Sequence, residues 1–414
     1  MRVFLSGTVG LTLVVIAGLL AGIGLWYAGQ FLLNDVQPVA QTAVNTTTVT
    51  NQDSEVSFNE LDLLYAVKEG TTVTVFRREG FDGNNTELFS YNERVEADTS
   101  GNLWAGLPPS IALSNGGESV AYVTGDAVVV RNFETGETRN IISKVAEPLP
   151  DDVLERPTWS VDSGSGAYGF GVPRWSSDDL SIGLLTVDWE GSTLVTRAVN
   201  GDGFAAQGAV GGNVYYHWSP IGNRFVLPTY GAYARPGLYV GSGVDELAVN
   251  ILQGSEVAES DFLSAEFSPQ GDRIVFVYQP YNLGTNVQKI GTVAPDGTDL
   301  ELFSYTAVLS SPFFGPTSNE MYFVRNTSEG IYKLQMHNRK TGELSDAMQL
   351  PSGYNQWYYL GWIDGDVLMQ GTVAHVGVEA GDSTQLYLLD PDTGAVVNTS
   401  GQFDQFVTFM GLAK

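Results

Sequence analysis

The stretch "FSPQGDRIVFVY", residues 267–278, decides the fold of this chain. An aromatic residue and Ser-Pro are followed by a Gly, two charged residues and then a run rich in Ile, Val, Phe and Tyr. Ser, Pro and Gly favour tight turns, whereas β-branched and aromatic residues favour strands. The stretch therefore predicts a turn that leads directly into a β-strand, and its recurrence along the chain would define a repeat.

The same pattern recurs along the whole chain after the N-terminal region. The positions that align with Ser268 are 57, 114, 176, 219, 315 and about 363, so the spacing lies between 43 and 62 residues. A short Gly turn follows each copy, and its glycines are Gly83, Gly136, Gly191, Gly243, Gly297, Gly342 and Gly394. Gly supplies the positive φ that such hairpin turns need. Seven copies of both signals in the same order predict a repeat protein.

The period indicates the fold class. A unit of about 50 residues with four short strands and no helix is typical of a propeller blade. We therefore predict an all-β domain over residues 57–414, a seven-bladed β-propeller of four-stranded antiparallel blades. The first copy has no strand before its turn, and "QFDQFVTFMG", residues 402–411, has the pattern of that strand. Because proteins avoid exposed sheet edges, we expect the C-terminal strand to close the ring in blade one.

The repeat resembles that of TolB-type propellers, whose signature is an aromatic-Ser-Pro-Asp-Gly turn followed by an apolar strand. The matching residues are Trp218-Ser219-Pro220 and Phe267-Ser268-Pro269, the latter with Gly271 and Asp272. The copies at Phe314 and Trp362 depart from the signature. The resemblance covers residues 57–414 and implies a fold that binding proteins and enzymes share, so it implies little about function.

The N-terminus predicts a membrane anchor. Residues 3–33 contain no charged side chain, and this segment is long enough for a transmembrane helix. Residues 34–56 are polar and Thr-rich, as in a flexible linker. Arg2 precedes the helix and Asp35 follows it, so the positive-inside rule predicts a cytoplasmic N-terminus, a single pass and an extracytoplasmic propeller. Two alternatives stay open, namely cleavage after "PVA", residues 38–40, and weak dimerisation through Gly18 and Gly22.

Composition excludes several functions. A formal charge of −27 and a pI of about 4.2 argue against nucleic-acid binding, and the absence of Cys removes thiolate catalysis and Cys-bound metals. No hydrolase elbow, Walker loop or zinc-protease motif is present, so we predict no cofactor. The only histidines, His217, His337 and His375, fall on different parts of the predicted blades, so no metal site is predicted.

Long segments cluster on one face of the predicted propeller. If each blade runs from its inner to its outer strand, the Ser-Pro and Gly turns share one face, and the longer connections share the other, here called the loop-rich face. Long loops on a rigid scaffold commonly carry binding groups. The candidate binding residues on this face are Tyr168, Tyr230, Tyr233, Arg235, Tyr281, Asn282, Tyr354, Trp357, Glu379 and Asp382.

These residues favour binding over catalysis. Aromatic rings with amides and carboxylates suit a glycan, a peptide or an envelope protein as partner. Our first hypothesis is a membrane-anchored, extracytoplasmic, non-catalytic binding propeller. The alternatives are a glycan-active hydrolase or lyase that uses Glu379 and Asp382 at the channel mouth, and an assembly scaffold.

Overall fold

The computed structural model of the chain describes most of the repeat region. The described residues are 62–80, 83–93, 110–124, 127–143, 169–170, 172–187, 192–200, 204–210, 216–231, 236–243, 248–281, 287–303, 312–327, 331–354, 356–373, 383–399 and 407–413. They all belong to one compact unit, Pro38–Lys414. The predicted anchor (3–33) and linker (34–56) lie outside them, and no helix within them is long and apolar enough to cross a bilayer.

The described residues contain strands that form seven antiparallel sheets, called blades 1 to 7 below. The first three blades contain, in chain order, β1 (Asp62–Glu69), β2 (Thr72–Arg78), β3 (Asn85–Asn92), β4 (Ile111–Leu113), β5 (Ser119–Val123), β6 (Ala127–Asn132), β7 (Thr138–Ser143), β8 (Gly169–Phe170), β9 (Arg174–Trp175), β10 (Ser181–Val187), β11 (Ser192–Ala198) and β12 (Phe204–Val210). Blades 4 and 5 contain β13 (His217–Trp218), β14 (Arg224–Thr229), β15 (Gly237–Ser242), β16 (Val249–Asn250), β17 (Ser260–Phe267), β18 (Ile274–Pro280), β19 (Lys289–Val293) and β20 (Glu301–Phe303). Blades 6 and 7 contain β21 (Phe313–Phe314), β22 (Glu320–Asn326), β23 (Tyr332–Asn338), β24 (Glu343–Gln349), β25 (Gln356–Ile363), β26 (Asp366–Val373), β27 (Ser383–Asp390) and β28 (Ala395–Thr399), and β29 (Thr408–Ala413) follows.

The sheet topology confirms the predicted fold class. Six blades run in sequence order from the inner to the outer strand, and blade 1 has the order β29-β1-β2-β3. The C-terminal strand therefore supplies the inner strand of blade 1, as the sequence predicts. Blade 3 differs in one detail, because β8 and β9 both pair with β10 and share the inner position.

The opening stretch forms its turn through one serine side chain. The hydroxyl of Ser268 donates a hydrogen bond to Asp272 at 2.7 Å and accepts one from the backbone N–H of Arg273 at 3.1 Å. The N–H of Gly271 donates to the carbonyl of Ser268, and Gly271 has a φ of 64°. A Ser hydroxyl that satisfies nearby backbone groups stabilises a turn. The side chain of Ser176 makes the equivalent contacts in blade 3.

The run after this turn is apolar on both faces because it lies between two neighbouring blades. The first five residues of β18, Ile274–Tyr278, are all buried. Phe276 packs with blade 4 residues such as Val226, whereas Val275 packs with blade 6 residues such as Phe323. The sequence of a strand that is buried on both faces is continuously hydrophobic, whereas that of a half-buried strand alternates between hydrophobic and polar residues.

Buried clusters join each blade to the next around the ring. Successive pairs from blades 1–2 to blades 6–7 share apolar clusters, represented by Val73 with Val120, Val128 with Ile182, Leu194 with Phe225, Val226 with Phe276, Val275 with Phe323, and Val324 with Met369. Blade 7 meets the closing strand where the N–H of Val407 donates to the hydroxyl of Thr384 at 3.4 Å. The core is thus a series of interfaces between blades.

The Gly turns follow the prediction with one difference. Gly136, Gly243, Gly297, Gly342 and Gly394 have positive φ values between 58° and 86°. Gly83 is not among the positive-φ glycines, and Gly191 lies outside the described residues. Because successive strands are antiparallel, the Ser turns and Gly turns share one face, here called the short-turn face. The remaining connections lie on the loop-rich face.

Candidate functional site

Four of the ten predicted binding residues lie within the described residues. These are Tyr230, Tyr281, Tyr354 and Trp357. The other six lie outside the described residues, and they are Tyr168, Tyr233, Arg235, Asn282, Glu379 and Asp382. The candidate site is therefore built here from the four described residues and from the neighbours that fix them.

Tyr281 is the one residue of these four with a widely exposed ring. It follows the end of β18 on the loop-rich face, and the residue is 54% exposed. Its hydroxyl donates a hydrogen bond to Oδ1 of Asp261 at 3.0 Å, and its backbone N–H donates to the carbonyl of Glu259 at 3.4 Å. The ring is thus fixed at both ends and still accessible, which suits recognition by stacking.

Asp261 links two connections of the loop-rich face. The same oxygen, Oδ1, accepts a second hydrogen bond from the backbone N–H of Gly231 at 2.9 Å. Gly231 follows β14 of blade 4, and Tyr281 follows β18 of blade 5. Sequence reasoning missed Asp261, although its place at the start of an inner strand, between two predicted loops, is a usable signal.

The tyrosines beside Asp261 stay protonated. Burial and, to a smaller extent, the carboxylate of Asp261 raise the pKa of Tyr230 to about 12. Burial and the hydrogen bond to Asp261 also raise the pKa of Tyr281 above its usual value. Both effects disfavour the phenolate, because it would be poorly solvated and next to a negative charge. Both hydroxyls therefore remain donors at physiological pH.

The predicted role of Trp357 as an exposed loop residue is wrong. Trp357 lies inside β25 and is only 4% exposed, packed in the cluster between blades 6 and 7. The sequence pattern placed it at the end of a loop because the preceding residues, "PSGYNQ", are typical of a turn. The strand begins at Gln356, one residue earlier, so the indole enters the core.

Tyr354 belongs to a hydrogen-bonded group in blade 7. Its hydroxyl donates to Oε1 of Gln385 at 2.6 Å, and the hydroxyl of Tyr387 lies 3.1 Å from both Tyr354 and Gln385. The rings of Tyr354 and Trp357 meet edge to face with centroids 5.5 Å apart. Tyr354 is half-buried, so this group supports the loop-rich face more than it presents a binding surface.

A buried ion pair fixes another part of the same face. The ammonium of Lys68 lies 2.7 Å from Oε2 of Glu93, and their side chains are 8% and 10% exposed. The other oxygen of Glu93 accepts a hydrogen bond from the N–H of Ser110 at 2.9 Å. Glu93 and Ser110 flank the connection from blade 1 to blade 2. The hydrogen bond between Glu93 and Ser110 therefore brings the two ends of that connection together, and the ion pair ties them to β1.

The two described histidines lie on different blades. His217 lies on β13 of blade 4 and His337 on β23 of blade 6, while His375 lies outside the described residues. Burial and the nearby charge of Arg174 lower the pKa of His217 to about 3, so this imidazole is neutral. Within the described ranges, no group of three His, Asp or Glu side chains is arranged to hold a metal ion.

Two aspartates beside Gly turns, Asp296 and Asp390, accept hydrogen bonds from residues of their own turns. Asp296 accepts hydrogen bonds from the N–H and the hydroxyl of Thr298, and these bonds lower its pKa. Asp390 accepts bonds from the N–H groups of Asp392 and Thr393, and its pKa is lowered chiefly by Thr393. Asp side chains favour turns for this reason.

Comparison with known proteins places the fold more clearly than the function. The sequence matches no family model, and no curated protein matches it in sequence. Among solved structures, oligogalacturonate lyase from Vibrio parahaemolyticus has 11% identity and a TM-score of 0.50 over 75% of this chain and 83% of that one. TolB from Acinetobacter baumannii has 12% identity and a TM-score of 0.41 over 91% and 93% of the two chains. A puromycin hydrolase mutant has 12% identity and a TM-score of 0.43 over 81% and 56%.

Seven four-stranded blades closed by a C-terminal strand define a seven-bladed β-propeller. Solved TolB proteins are among the structures to which the chain is similar, and a serine side chain shapes the turn in blades 3 and 5. At these identities the likeness concerns the fold, and fold alone does not assign an activity.

Proposed function

We propose that this chain is a non-catalytic binding propeller that recognises a glycan, a peptide or an envelope protein on its loop-rich face. The observation that carries the proposal is Tyr281, a residue that is 54% exposed while its hydroxyl and backbone N–H are both hydrogen-bonded. An aromatic ring that is already ordered loses little conformational entropy on binding. Recognition surfaces commonly use tyrosine in this way.

The loop-rich face is also held by polar contacts that fix its connections. Asp261 hydrogen-bonds to both Gly231 and Tyr281, which belong to two different connections. Glu93 hydrogen-bonds to Ser110 across a third connection and pairs with Lys68. Rigid support of exposed groups reduces the free-energy cost of binding. The proposed surface is therefore preorganised at the points that the structure describes.

We also propose that residues 3–33 anchor the propeller to a membrane with its N-terminus in the cytoplasm and the propeller outside. The support is the uncharged sequence over these residues, with Arg2 before it and Asp35 after it. Protease added to cells whose outer envelope layers have been removed should digest the propeller and leave a fragment that contains residues 3–33. Protection of the propeller in these cells would contradict this orientation.

Affinity capture tests the binding proposal. The full chain in mild detergent is the bait, and solubilised envelope material is the source of ligands. Tyr281→Ala should reduce capture strongly because it removes the exposed ring. Leu180→Ala is the matched control, since Leu180 is 65% exposed but lies in a Ser turn on the short-turn face. Equal capture by the wild type and Tyr281→Ala would contradict the proposed face, and turnover of a captured glycan would favour the enzyme alternative.

A further inference from the structure

The surroundings of Tyr281 indicate the charge of the group that it binds. Glu256 and Glu259 lie exposed in the turn before β17, and Asp261 is the second residue of that strand. Glu256 is close enough to contribute to the raised pKa of Tyr278, after burial as the main cause. Two acidic residues, Glu259 and Asp261, thus contact Tyr281 directly, and one basic residue, Lys289, lies opposite Tyr278 in β19.

We propose that the ring of Tyr281 is a docking point for a lysine or arginine side chain in a basic segment of a partner protein. This inference rests on the binding function proposed above and specifies its partner. A cation is attracted to the face of an aromatic ring within about 6 Å of the centroid. The bond from the Tyr281 hydroxyl to the Asp261 carboxylate polarises the phenol and makes the ring face more negative.

The nearby carboxylates remain available to such a partner. None of the ion pairs among the described residues includes Glu256, Glu259 or Asp261. Arginines elsewhere in the propeller do pair with acids, as Arg339 does with Glu301 at 2.8 Å. A positive side chain over Tyr281 would therefore gain attraction from the ring and from the carboxylates of Glu259 and Asp261, neither of which forms an ion pair with a described basic residue.

The whole chain favours the same kind of partner. Its formal charge of −27 attracts basic segments from a distance and repels acidic ones. Long-range attraction alone is not specific, because any acidic surface draws a polycation. The ring of Tyr281 adds a short-range contact that depends on one residue, and this dependence makes the proposal testable.

Asp261 acts in this proposal as a positioning residue. Its Oδ1 holds the hydroxyl of Tyr281 at 3.0 Å and the N–H of Gly231 at 2.9 Å. Asp261→Asn keeps an acceptor oxygen for both bonds but removes a negative charge, so it should weaken binding in part. Asp261→Ala removes the acceptor, frees the ring and should weaken binding more. A residue needed only for its charge would show equal losses in both variants.

The test measures binding of a defined probe to the full chain in detergent. The probe is a fluorescent peptide of five Lys-Gly repeats, compared with the same peptide carrying acetyl-lysine, at about 0.15 M salt. Tyr281→Leu should weaken binding of the lysine peptide about two- to fivefold, which is the expected size of a cation–aromatic contact at an exposed position. The acetyl-lysine peptide should bind the wild type less well than the lysine peptide does. Tyr281→Leu should not change the binding of the acetyl-lysine peptide.

The matched control is Glu343→Gln, which removes one exposed carboxylate from β24 in blade 6. This variant should bind the lysine peptide within twofold of the wild type. The proposal is overturned if the lysine peptide does not bind, if Tyr281→Leu binds it as the wild type does, or if Glu343→Gln loses as much. Loss of envelope capture in Tyr281→Ala, together with unchanged lysine-peptide binding in Tyr281→Leu, would leave the proposed function standing and reject only this inference.

Discussion

The indole N–H of Trp218 in blade 4 donates a hydrogen bond to the backbone carbonyl of Arg174 in blade 3, at 3.2 Å. Trp175 makes the same kind of bond to Ala112 of blade 2 at 3.0 Å, and Trp362 makes one to Phe314 of blade 6 at 2.9 Å. Trp175 and Trp218 directly precede the serine of their turns, and Trp362 stands at the equivalent position of blade 7, whose turn has no serine. These side chains therefore connect successive blades.

Replacement of Trp218 by Phe should destabilise the propeller. The change leaves the carbonyl of Arg174 without its indole donor, which costs about 1–3 kcal/mol in free energy of unfolding beyond the lost packing. Trp357→Phe is the matched control, because Trp357 is equally buried but its indole N–H has no partner among the described contacts. Urea unfolding should show a larger loss for Trp218→Phe, and equal losses would contradict the role assigned to this hydrogen bond.

Removal of the buried lysine in blade 1 should be costly. Lys68→Met leaves the carboxylate of Glu93 buried without its cation, which costs about 3–5 kcal/mol. Lys333→Met removes a similar pair with Asp346, at 2.6 Å, but those side chains are 34% and 46% exposed, so the cost should be about 1 kcal/mol or less. Thermal unfolding of both variants compares them directly. Similar losses would show that burial does not strengthen the Lys68–Glu93 contact.

The buried His217 should make the protein sensitive to acid. Its pKa is lowered from 6.5 to about 3 by burial and by Arg174, so the unfolded chain binds this proton before the folded one does. Stability therefore falls as the pH drops from 6.5 towards 3, by about 1.4 kcal/mol per pH unit from this group. His217→Gln should flatten the stability curve in that window and leave it unchanged between pH 7 and 8. Parallel curves for the two proteins would contradict a buried neutral imidazole.

Two glycines of the Gly turns should differ in their tolerance of alanine. Gly297 and Gly342 both have positive φ, at 86° and 72°. A Cβ on Gly297 would overlap the backbone carbonyl of Ile251 in blade 4, whereas a Cβ on Gly342 would meet open space. Gly342→Ala should cost about 1–2 kcal/mol from backbone strain alone, and Gly297→Ala should cost more. Denaturant unfolding measures both losses of unfolding free energy. Equal losses for the two variants would contradict the close approach of blades 4 and 5.

The sequence predicted the architecture because the determinants of a blade are local. Ser268 and Gly271 shape their turn through residues within five positions, and β18 follows at once, so the pattern survives in a single sequence. Closure of the ring by a strand within residues 402–411 was also predictable. The first repeat lacked its inner strand, and one strand pattern remained after the last repeat. The structure places that strand at Thr408–Ala413.

The site was less predictable because its contacts join distant residues. Asp261 and Gly231 are 30 positions apart, and neither residue belongs to the repeat signature. Trp357 was misplaced because a shift of one residue in a strand start decides whether a side chain is buried or exposed. Within the predicted surface, Tyr281 keeps its place as an exposed aromatic residue, and its binding role stays a prediction.

Hydrogen–deuterium exchange of the full chain, with and without a captured partner, tests the proposed binding face most directly. We expect slower exchange on binding at the backbone N–H groups of Tyr281 and Gly231, with no change in the Ser turn around Gly271 on the short-turn face. Protection confined to the Ser and Gly turns, with Tyr281 and Gly231 unchanged, would contradict it.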